Sequence, residues 1–401
     1  MRILVQKFGG SSVSDLEKLQ RVAEKIVATR RSGYDLVVVV SAMGSTTDEL
    51  LERARQLHAS PSRRELDMLL SVGERISMTL LSIAVHAQGL EAVSLTGSQC
   101  GIITTASHAN ARIIDVRPFR VQDELAQGKI VIVAGYQGTS YRREVTTLGR
   151  GGSDTTAVAL AAALDAEACE IYSDVDGVFS ADPRVVLDAR QLLTLSYEEM
   201  MEMARSGAKV LHEQAVEFAR QSKIALYARS THDSGSRGTI IRTDGFDQRV
   251  EQVESGRPGV SVSHVDRGLF VQFESAALGS EAFLSVLDLD CAAMSYEADG
   301  GCRLFLRLED VHDLEGIVAQ LDKAKVNAKT AYRGLVSLVG YGIGGTLRWA
   351  QEASAFLDNE GIGADAPFVS LFRISWVVSS DDVHGAAEGL HRQFVAQTNP
   401  D

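Results

Sequence analysis

The chain has 401 residues and a formal net charge of −13 at pH 7. One hydrophobic core rarely extends over that length, so we expect two or three domains. The acidic balance excludes a surface suited to nucleic acid or to an anionic membrane, because both need basic patches.

Targeting and membrane-spanning segments are not predicted. The N-terminal MRILVQKFGG lacks the basic region and long apolar run of a signal peptide, and no run of about 18 apolar residues occurs. The cysteines at 100, 169, 291 and 302 have no CxxC spacing, and the histidines are scattered. We therefore expect a cytoplasmic protein with reduced core thiols and no protein-bound transition metal.

Strand and helix patterns alternate in the first part of the chain. Ile3–Phe8 is an apolar run, and Ser14 is the predicted N-cap of a helix whose apolar residues repeat every 3.6 positions. Further strands are predicted at Leu36–Val40, Ala92–Leu95, Lys129–Ala134, Cys169–Ser173 and Ile224–Ala228, and helices at Asp154–Leu164 and Lys209–Gln221. This alternation predicts an α/β domain over residues 1–243 with a mostly parallel sheet covered on both faces.

The pattern changes after the polar segment Thr243–Gly259, a predicted linker. Beyond it the predicted strands are Gly268–Phe273, Cys302–Leu308, Leu335–Gly340 and Arg373–Val378, and the predicted helices are Leu314–Ala324, Leu347–Asp358 and Asp382–Phe394. Two rounds of strand, helix and strand predict two small α+β modules, which we place at residues 260–329 and 330–401.

Three clusters of glycine and charged residues follow predicted strands, where open α/β sheets form their sites. The first is Lys7-Phe8-Gly9-Gly10. Two glycines let the backbone approach a phosphate and Lys7 adds a cation, although a strand end with a tight turn explains the same residues. The cluster matches neither a Walker A motif nor a GxGxxG fingerprint.

The second cluster, Thr147–Thr156, leads into a predicted helix. Glycines before a helix N-terminus suit an anion, Arg150 can clamp a carboxylate, and Asp154 can bind an ammonium. The alternative is a loop that Ser153 or Asp154 caps.

The third cluster runs from Ser173 to Arg184 and offers three carboxylates, a turn and an arginine. It is suited to contacts with adenosine and with Mg²⁺–phosphate, and it is equally typical of an acidic surface turn.

In this order the motifs resemble the aspartate kinase branch of the amino acid kinase family. They are KFGGSSV from Lys7, SAMG from Ser41, SVGERIS from Ser71, TLGRGGSDTTA from Thr147, SDVDGVFSADPR from Ser173 and GAKVLH from Gly207. The resemblance implies the three-layer α/β kinase fold followed by ACT-like α+β modules. It also implies transfer of the γ-phosphoryl group of ATP, with Mg²⁺, to the side-chain carboxylate of L-aspartate. That reaction would serve the synthesis of lysine, threonine, methionine or a specialised product such as ectoine.

The resemblance further implies residue roles. It makes Lys7, Glu74, Arg150 and Asp154 catalytic. The aspartate pocket would be lined by Ser41, Thr47, Glu74, Arg150, Gly151, Gly152 and Ser153. The nucleotide would contact Lys7, Phe8, Gly9, Gly10, Ser173, Asp174, Ser180, Asp182, Arg184 and Lys209. A carboxylate is already an anionic nucleophile, so no general base is expected.

The C-terminal part departs from the family pattern. Ser275–Ser280 replaces an Asp-x-Pro-Gly turn, and Gly361–Asp365 replaces Asn-x-Asn. We hypothesise that control by lysine or threonine is weakened, absent or retuned, and by analogy we expect a homodimer through these modules. A kinase for another carboxylate or carbamate, and a non-catalytic regulatory subunit, are the alternative functions.

Overall fold

The structure is a computed structural model. It describes residues 2–149, 151–232, 235, 237–243, 259–275, 283, 286, 289, 291–311, 314–323 and 328–395. Arg150, most of the predicted linker and residues 276–280 of the divergent turn lie outside these ranges. The chain divides into two compact units. The first unit is Met1–Val178 with Leu193–Tyr197 and Val210–Thr243, and the second is Phe179–Leu192, Glu198–Lys209 and Asp244–Asp401.

The elements up to residue 241 follow the predicted alternation. The strands are β1 (Ile3–Phe8), β2 (Asp35–Val40), β3 (Ala92–Leu95), β4 (Ile102–Thr104), β5 (Ile113–Val116), β6 (Ile130–Ala134), β7 (Gln137–Ser140), β8 (Val145–Thr147), β9 (Ala168–Ser173), β10 (Val178–Phe179), β11 (Gln191–Leu192), β12 (Thr194–Leu195), β13 (Leu226–Ser230) and β14 (Thr239–Ile241). The helices are α1 (Leu16–Arg31), α2 (Thr46–Leu57), α3 (Arg63–Leu70), α4 (Val72–Ala87), α5 (Phe119–Ala126), α6 (Gly152–Ala163), α7 (Tyr197–Arg205) and α8 (Glu213–Ser222).

A mostly parallel sheet forms the centre of the first unit. Among the described residues it has eight strands in the order β12-β14-β13-β9-β1-β2-β6-β3. From β13 to β3 every pairing is parallel, so the carboxyl ends of these strands lie along one edge. Only the β13–β14 pairing within the described sheet is antiparallel. The α/β prediction is confirmed.

Helices cover the two faces of this sheet. Leu36, Val38 and Val40 of β2 pack in one core with apolar residues of α1 and α4, while α6 contacts β1 and β2. Every residue of β2 after its first is fully buried, which explains its unbroken apolar run. The N-cap of α1 is Asp15, whose side chain accepts a hydrogen bond from the Lys18 N–H. The prediction of Ser14 was therefore one residue early.

The cysteines and one apolar segment bear on two predictions, that of core thiols and that of no membrane-spanning segment. The cysteines are free thiols, and Cys100, Cys169 and Cys302 are buried. Among the described residues one helical segment, Arg63–Ala87, is long and apolar enough to cross a membrane, although it contains no uninterrupted apolar run of that length. Half of its most apolar window is buried inside the protein, and α4 packs against β3 and β6 as a core helix does.

The second unit contains an antiparallel sheet and helices. Its further strands are β15 (Ser261–Phe273), β16 (Cys291–Tyr296), β17 (Cys302–Arg307), β18 (Ala328–Val339), β19 (Phe368–Ser370) and β20 (Arg373–Val378). Its further helices are α9 (Leu314–Lys323), α10 (Leu347–Asn359) and α11 (Val383–Phe394). Within the described residues the sheet order is β16-β17-β15-β18-β20-β19, with antiparallel pairing throughout.

The long strands β15 and β18 contribute residues to two separate hydrophobic cores. The second half of β15 packs with β17 and α9, whereas Val262 in its first half packs with β20, α10 and α11. A bulge between Val265 and Gly268 separates the two halves. The boundary predicted at 329/330 lies inside β18. The module built from β16, β17 and α9 is thus inserted into the other one, which begins near residue 259 and ends near residue 395.

Candidate active site

The loops that follow β1 and β2 pack closely at the carboxyl edge of the sheet. The Gly9 N–H donates to the Tyr172 carbonyl, and the Ser41 N–H donates to the Phe8 carbonyl, each at 3.1 Å. A Cβ atom on Gly10 would lie 2.7 Å from the Ala42 carbonyl oxygen. Glycine is required at position 10 because any side chain would collide with the loop that follows β2.

The side chains of Lys7 and Asp154 form a buried ion pair. Lys7 lies near the end of β1 and Asp154 in the first turn of α6, and Nζ lies 2.6 Å from Oδ1. Both side chains are about nine-tenths buried, with relative exposures of 11% and 10%. A pair that is this well buried costs desolvation, so it is weak evidence for stability and stronger evidence for a site that needs both charges.

The N-terminus of α6 approaches the same edge through a glycine turn. Gly151 has a left-handed backbone (φ 65°), and a Cβ atom there would lie 2.2 Å from the His212 ring and Cβ. Ser153 is buried against Gly135, where a Cβ atom would lie 2.6 Å from the Ser153 hydroxyl. These glycines let helix backbone N–H groups come to the end of the sheet, which is a ready site for anions.

Glu74 is a buried carboxylate in the first turn of α4. Its Oε1 accepts a hydrogen bond of 3.1 Å from the Ala42 N–H, and Gly73 makes room because a Cβ there would lie 2.7 Å from the Ala42 Cβ. Its buried Oε2 has no partner among the described residues. Burial raises the pKa of Glu74 to about 7, and the hydrogen bond from Ala42 only partly offsets this. An unpaired buried carboxylate oxygen suits a cationic ligand group.

Ser41 and Thr47, the other residues predicted to contact aspartate, flank this loop. Both are half-buried, Ser41 directly after β2 and Thr47 in the first turn of α2. Ser41 precedes the Ala42–Glu74 hydrogen bond by one residue, so the structure brings Ser41 and Glu74 together. Arg150, predicted to hold the α-carboxylate, lies outside the described residues.

The end of β9 connects to the first loop through hydroxyl groups. The Ser173 carbonyl accepts hydrogen bonds from the Thr231 N–H and Oγ1, and Thr231 Oγ1 lies 2.6 Å from Ser12 Oγ. Asp174 is exposed. A cavity of about 130 Å³ beside Ser12 is lined also by Lys18, Arg21, Thr231 and His232. Lys18 and Arg21 were not predicted as site residues, because their positions are typical of charges on the solvent face of α1.

A buried aspartate near the second cluster was also missed. Asp67 of α3 is fully buried and accepts hydrogen bonds from Thr147 Oγ1 (2.6 Å) and the Ala109 N–H (3.0 Å), and its Oδ2 lies 2.6 Å from His108 Nδ1. This network fixes β8, which leads directly into the glycine turn before α6. Its partners are 41 to 80 residues from Asp67, so no local pattern signals it.

Four predicted nucleotide contacts belong to the second unit. Ser180 is buried, and its Oγ accepts from the Arg190 N–H and lies 2.8 Å from His391 Nε2. Asp182 forms an ion pair of 2.6 Å with Arg184, which holds the pKa of Asp182 below its ordinary value. Lys209 is exposed. The Ser180 hydroxyl is engaged within its own unit, while Arg184 and Lys209 present their charges to solvent.

Comparisons with known proteins bear on these features. Residues 2–230 match the model of the amino acid kinase family. An aspartokinase from Mycolicibacterium smegmatis is 44% identical over 407 aligned residues, which cover 98% of this chain and 96% of that protein. The chain belongs to the aspartokinase family. Aspartokinase 2 of Bacillus subtilis is likewise 39% identical, with 100% of this chain and 99% of that protein aligned.

A solved aspartokinase also has a similar fold. The structure of E. coli aspartokinase III in complex with aspartate and ADP superposes with a TM-score of 0.82, covering 98% of this chain and 99% of that one. At 22% identity this likeness bears on the fold alone. Membership of the aspartokinase family makes the chain a kinase, and the predicted α/β kinase domain with C-terminal α+β modules is confirmed.

Proposed function

We propose that the chain transfers the γ-phosphoryl group of ATP to the β-carboxylate of L-aspartate, giving ADP and 4-phospho-L-aspartate. The observation on which this rests is the buried Lys7–Asp154 ion pair, next to the glycine turn of α6 and close to the loop that Glu74 holds. A buried lysine held at the end of a strand, beside helix N–H groups, fits a reaction in which negative charge develops on a phosphoryl group.

In this reaction an oxygen of the β-carboxylate attacks the γ-phosphorus. The new O–P bond forms while the bond to the β–γ bridging oxygen breaks, and ADP leaves with that electron pair. No proton has to be removed from the nucleophile. The chain must hold two anions together and spread the charge of the transition state, which is a role for Lys7 and the N–H groups at the start of α6.

Glu74 would recognise the amino acid end of the substrate. Its Oε2 is buried without a partner, and the α-ammonium of aspartate would supply one. Such a contact would return the pKa of Glu74 toward its ordinary value, because a nearby cation favours the charged carboxylate. Ser41, Thr47 and Ser153 would complete the pocket, with Gly151 and Gly152 contributing backbone N–H groups and Arg150 the guanidinium for the α-carboxylate.

The nucleotide would bind to Gly9, Gly10 and the end of β9, with Phe8, Ser173, Ser180, Asp182, Arg184 and Lys209 as further proposed contacts. Mg²⁺ would enter with the nucleotide, since it is usually held by phosphates and one or two carboxylates. Exposed Asp174 and the carboxylate of Asp154 have the oxygen chemistry that Mg²⁺ prefers. The ion would neutralise charge on the phosphates. We place the reaction in the cytoplasm, with the free thiols as support.

The test is a hydroxamate assay on the full chain, with ATP and Mg²⁺ and with aspartate, glutamate or carbamate as acceptor. We expect product with aspartate and loss of product in Lys7→Met. Product with another acceptor and none with aspartate would establish a different carboxylate or carbamate kinase. No product with any acceptor from well-folded protein would favour the regulatory subunit.

We further propose a homodimer through the C-terminal modules and altered control by lysine or threonine. Apolar side chains at the ends of the six-stranded sheet are exposed in the single chain, namely Met294, Tyr296, Val369 and Leu371, and a second copy would cover them. Light scattering on the chain and on Tyr296→Glu tests the dimer. Calorimetry that detects micromolar binding of lysine or threonine would contradict loss of control.

A further inference from the structure

A group of histidine and aspartate side chains, none of them assigned above to a substrate, lies in the second unit beside Asp182 and Lys209. His264 is in the first half of β15, Asp266 is in the bulge of the same strand, and His384 is in the first turn of α11. One ligand atom from each lies within 4.8 Å of the other two, a grouping found once in the described part of the chain.

We infer that His264, Asp266 and His384 form a binding site for a divalent transition metal such as Zn²⁺. Asp266 Oδ1 lies 2.9 Å from His384 Nε2 and 3.6 Å from His264 Nε2. Two ligand atoms on a tetrahedral Zn²⁺ with bonds of about 2.0–2.1 Å are separated by roughly 3.3 Å. The two observed distances lie on either side of that value, so one ion can replace the hydrogen bond between His384 and Asp266.

The backbone brings these residues together before any ion binds. Gly334 of β18 lies where a Cβ atom would come 2.0 Å from Val383 Cγ2 and 3.3 Å from the Asp266 carbonyl oxygen. The start of α11 therefore sits directly over the bulge, and only glycine at position 334 allows it. The side chain of His384 is 63% exposed and can rotate. Rotation can bring its nitrogen, now within 4.8 Å of the His264 nitrogen, to the distance that a shared ion requires. This is the preorganisation that a metal site needs.

The chemistry of the three groups selects the class of ion. Imidazole nitrogens favour Zn²⁺, Cu²⁺, Ni²⁺ or Co²⁺, whereas Mg²⁺ takes oxygen ligands. Asp266 and His384 are mostly exposed and His264 is mostly buried, which leaves the fourth position to water. Millimolar Mg²⁺ supplied with a nucleotide should therefore leave the site free for a transition metal.

Several charged groups face His264. Burial lowers the pKa of His264, the charge of Asp266 opposes this most strongly, and His384, Asp182 and Lys209 also face it.

The experiment is a titration of the tag-free full chain with ZnCl₂ and with CoCl₂ at pH 7.5, in the presence of millimolar MgCl₂. We expect one ion per chain by calorimetry and visible Co²⁺ absorption that reports imidazole ligation. Second-sphere changes alone weaken metal sites by about 10- to 100-fold, so loss of a ligand in His384→Ala should cost about 100-fold or more. His264→Gln, which keeps the volume of the buried side chain, should cost a similar factor.

His58→Ala is the matched control, because His58 is exposed and belongs to the first unit. It should bind the ion as the unaltered chain does. Equal affinity in the unaltered chain, His384→Ala and His264→Gln would overturn the inference. So would the absence of binding at millimolar Zn²⁺, which would leave a plain hydrogen bond between His384 and Asp266. Displacement of Co²⁺ by Mg²⁺ would overturn it as well.

Discussion

In the first unit closely packed glycines surround buried charges, whereas the second unit has both a closely packed glycine, Gly334, and an open one, Gly361. In the first unit the glycines at 10, 73 and 151 leave no room for a Cβ atom, which would lie within 2.7 Å of a neighbouring segment, around the buried charges of Lys7, Asp154 and Glu74. In the second unit Gly361 has a left-handed backbone but faces open space. Close packing around buried charge marks the part of an enzyme where geometry matters for chemistry, and a relaxed turn does not.

The largest expected effect concerns Lys7. Lys7→Met should lower kcat for aspartate phosphorylation by about 10³-fold, since loss of one preorganised donor to a developing anion costs that order. The measurement is steady-state ADP release. Because Asp154 would be left buried and unpaired, Lys7→Met/Asp154→Asn should be made as well, and it should be as inactive but more stable. The exposed Lys329→Ala of β18 is the control in the second unit. Near-normal turnover by the double variant would contradict the proposed site.

Glu74→Gln should separate function from stability. The folded-state pKa of about 7 exceeds the ordinary 4.5, so the folded chain binds more protons than the unfolded chain between those values. Stability is therefore lost as the pH rises from 4.5 to 7. At pH 8 the neutral glutamine should raise the free energy of unfolding by up to about 3 kcal/mol.

The same variant should lower kcat/KM for aspartate by about 100-fold, mainly through a higher KM for aspartate. The KM for ATP should change little. Thermal unfolding at pH 5 and pH 8, beside kinetics, checks both halves. At pH 5 the two proteins should unfold at nearly the same temperature. A destabilised Glu74→Gln at pH 8 would show that the carboxylate is already paired in the free enzyme.

Gly151→Ala and Gly361→Ala compare the units directly. Both positions have a left-handed backbone, which costs about 1–2 kcal/mol for alanine. Only at Gly151 does the new Cβ also meet His212, at 2.2 Å, so its cost should exceed about 2 kcal/mol and activity should fall. Denaturant unfolding of the two variants is the measurement. Equal stability losses would mean that the turn before α6 can relax.

The smallest expected effect belongs to His391. Burial lowers its pKa, with Asp188 and Arg190 as the facing charges, so the unfolded chain binds more protons below about pH 6.5. This contribution to stability is complete above pH 6.5 and is lost as the pH falls. Between pH 7.5 and 5.5, His391→Gln should lose less stability than the unaltered chain, by under about 1 kcal/mol. An identical pH dependence of stability in His391→Gln and the unaltered chain would show that His391 does not contribute to it.

Much of the first unit follows from local sequence. Ile3–Phe8 and Ala92–Leu95 are strands with the predicted bounds, because apolar runs between glycine or polar turns have few alternatives in a covered parallel sheet. The motif residues Lys7, Glu74 and Asp154 do gather at the carboxyl edge. What local patterns could not predict are contacts between distant segments, such as Asp67 with His108 and Thr147. A single aspartate in a helix gives no signal that it is buried.

The second unit was predicted less completely for the same reason. Its helices α9, α10 and α11 were recognised, but β16, β19 and the first halves of β15 and β18 were not predicted. The sequence also does not say that β15 pairs with β18 along nearly its full length. The metal site has ligands 118 residues apart, so the spacing rules for histidine could not detect it. Pairing between distant segments is decided by packing and not by local preference.

The outer module of the second unit, into which the module of β16, β17 and α9 is inserted, constrains how the chain can fold during synthesis. Val262 shares a core with Phe394 and Val395, and the Gly259 N–H donates to the Phe394 carbonyl at 3.0 Å. Its opening strand leaves the ribosome long before its closing helix. At roughly 5–20 residues per second the strand waits on the order of 10 s for its partners. During that interval the inserted module can already have folded. The outer module would then complete its core after the inserted module, when α11 has been synthesised.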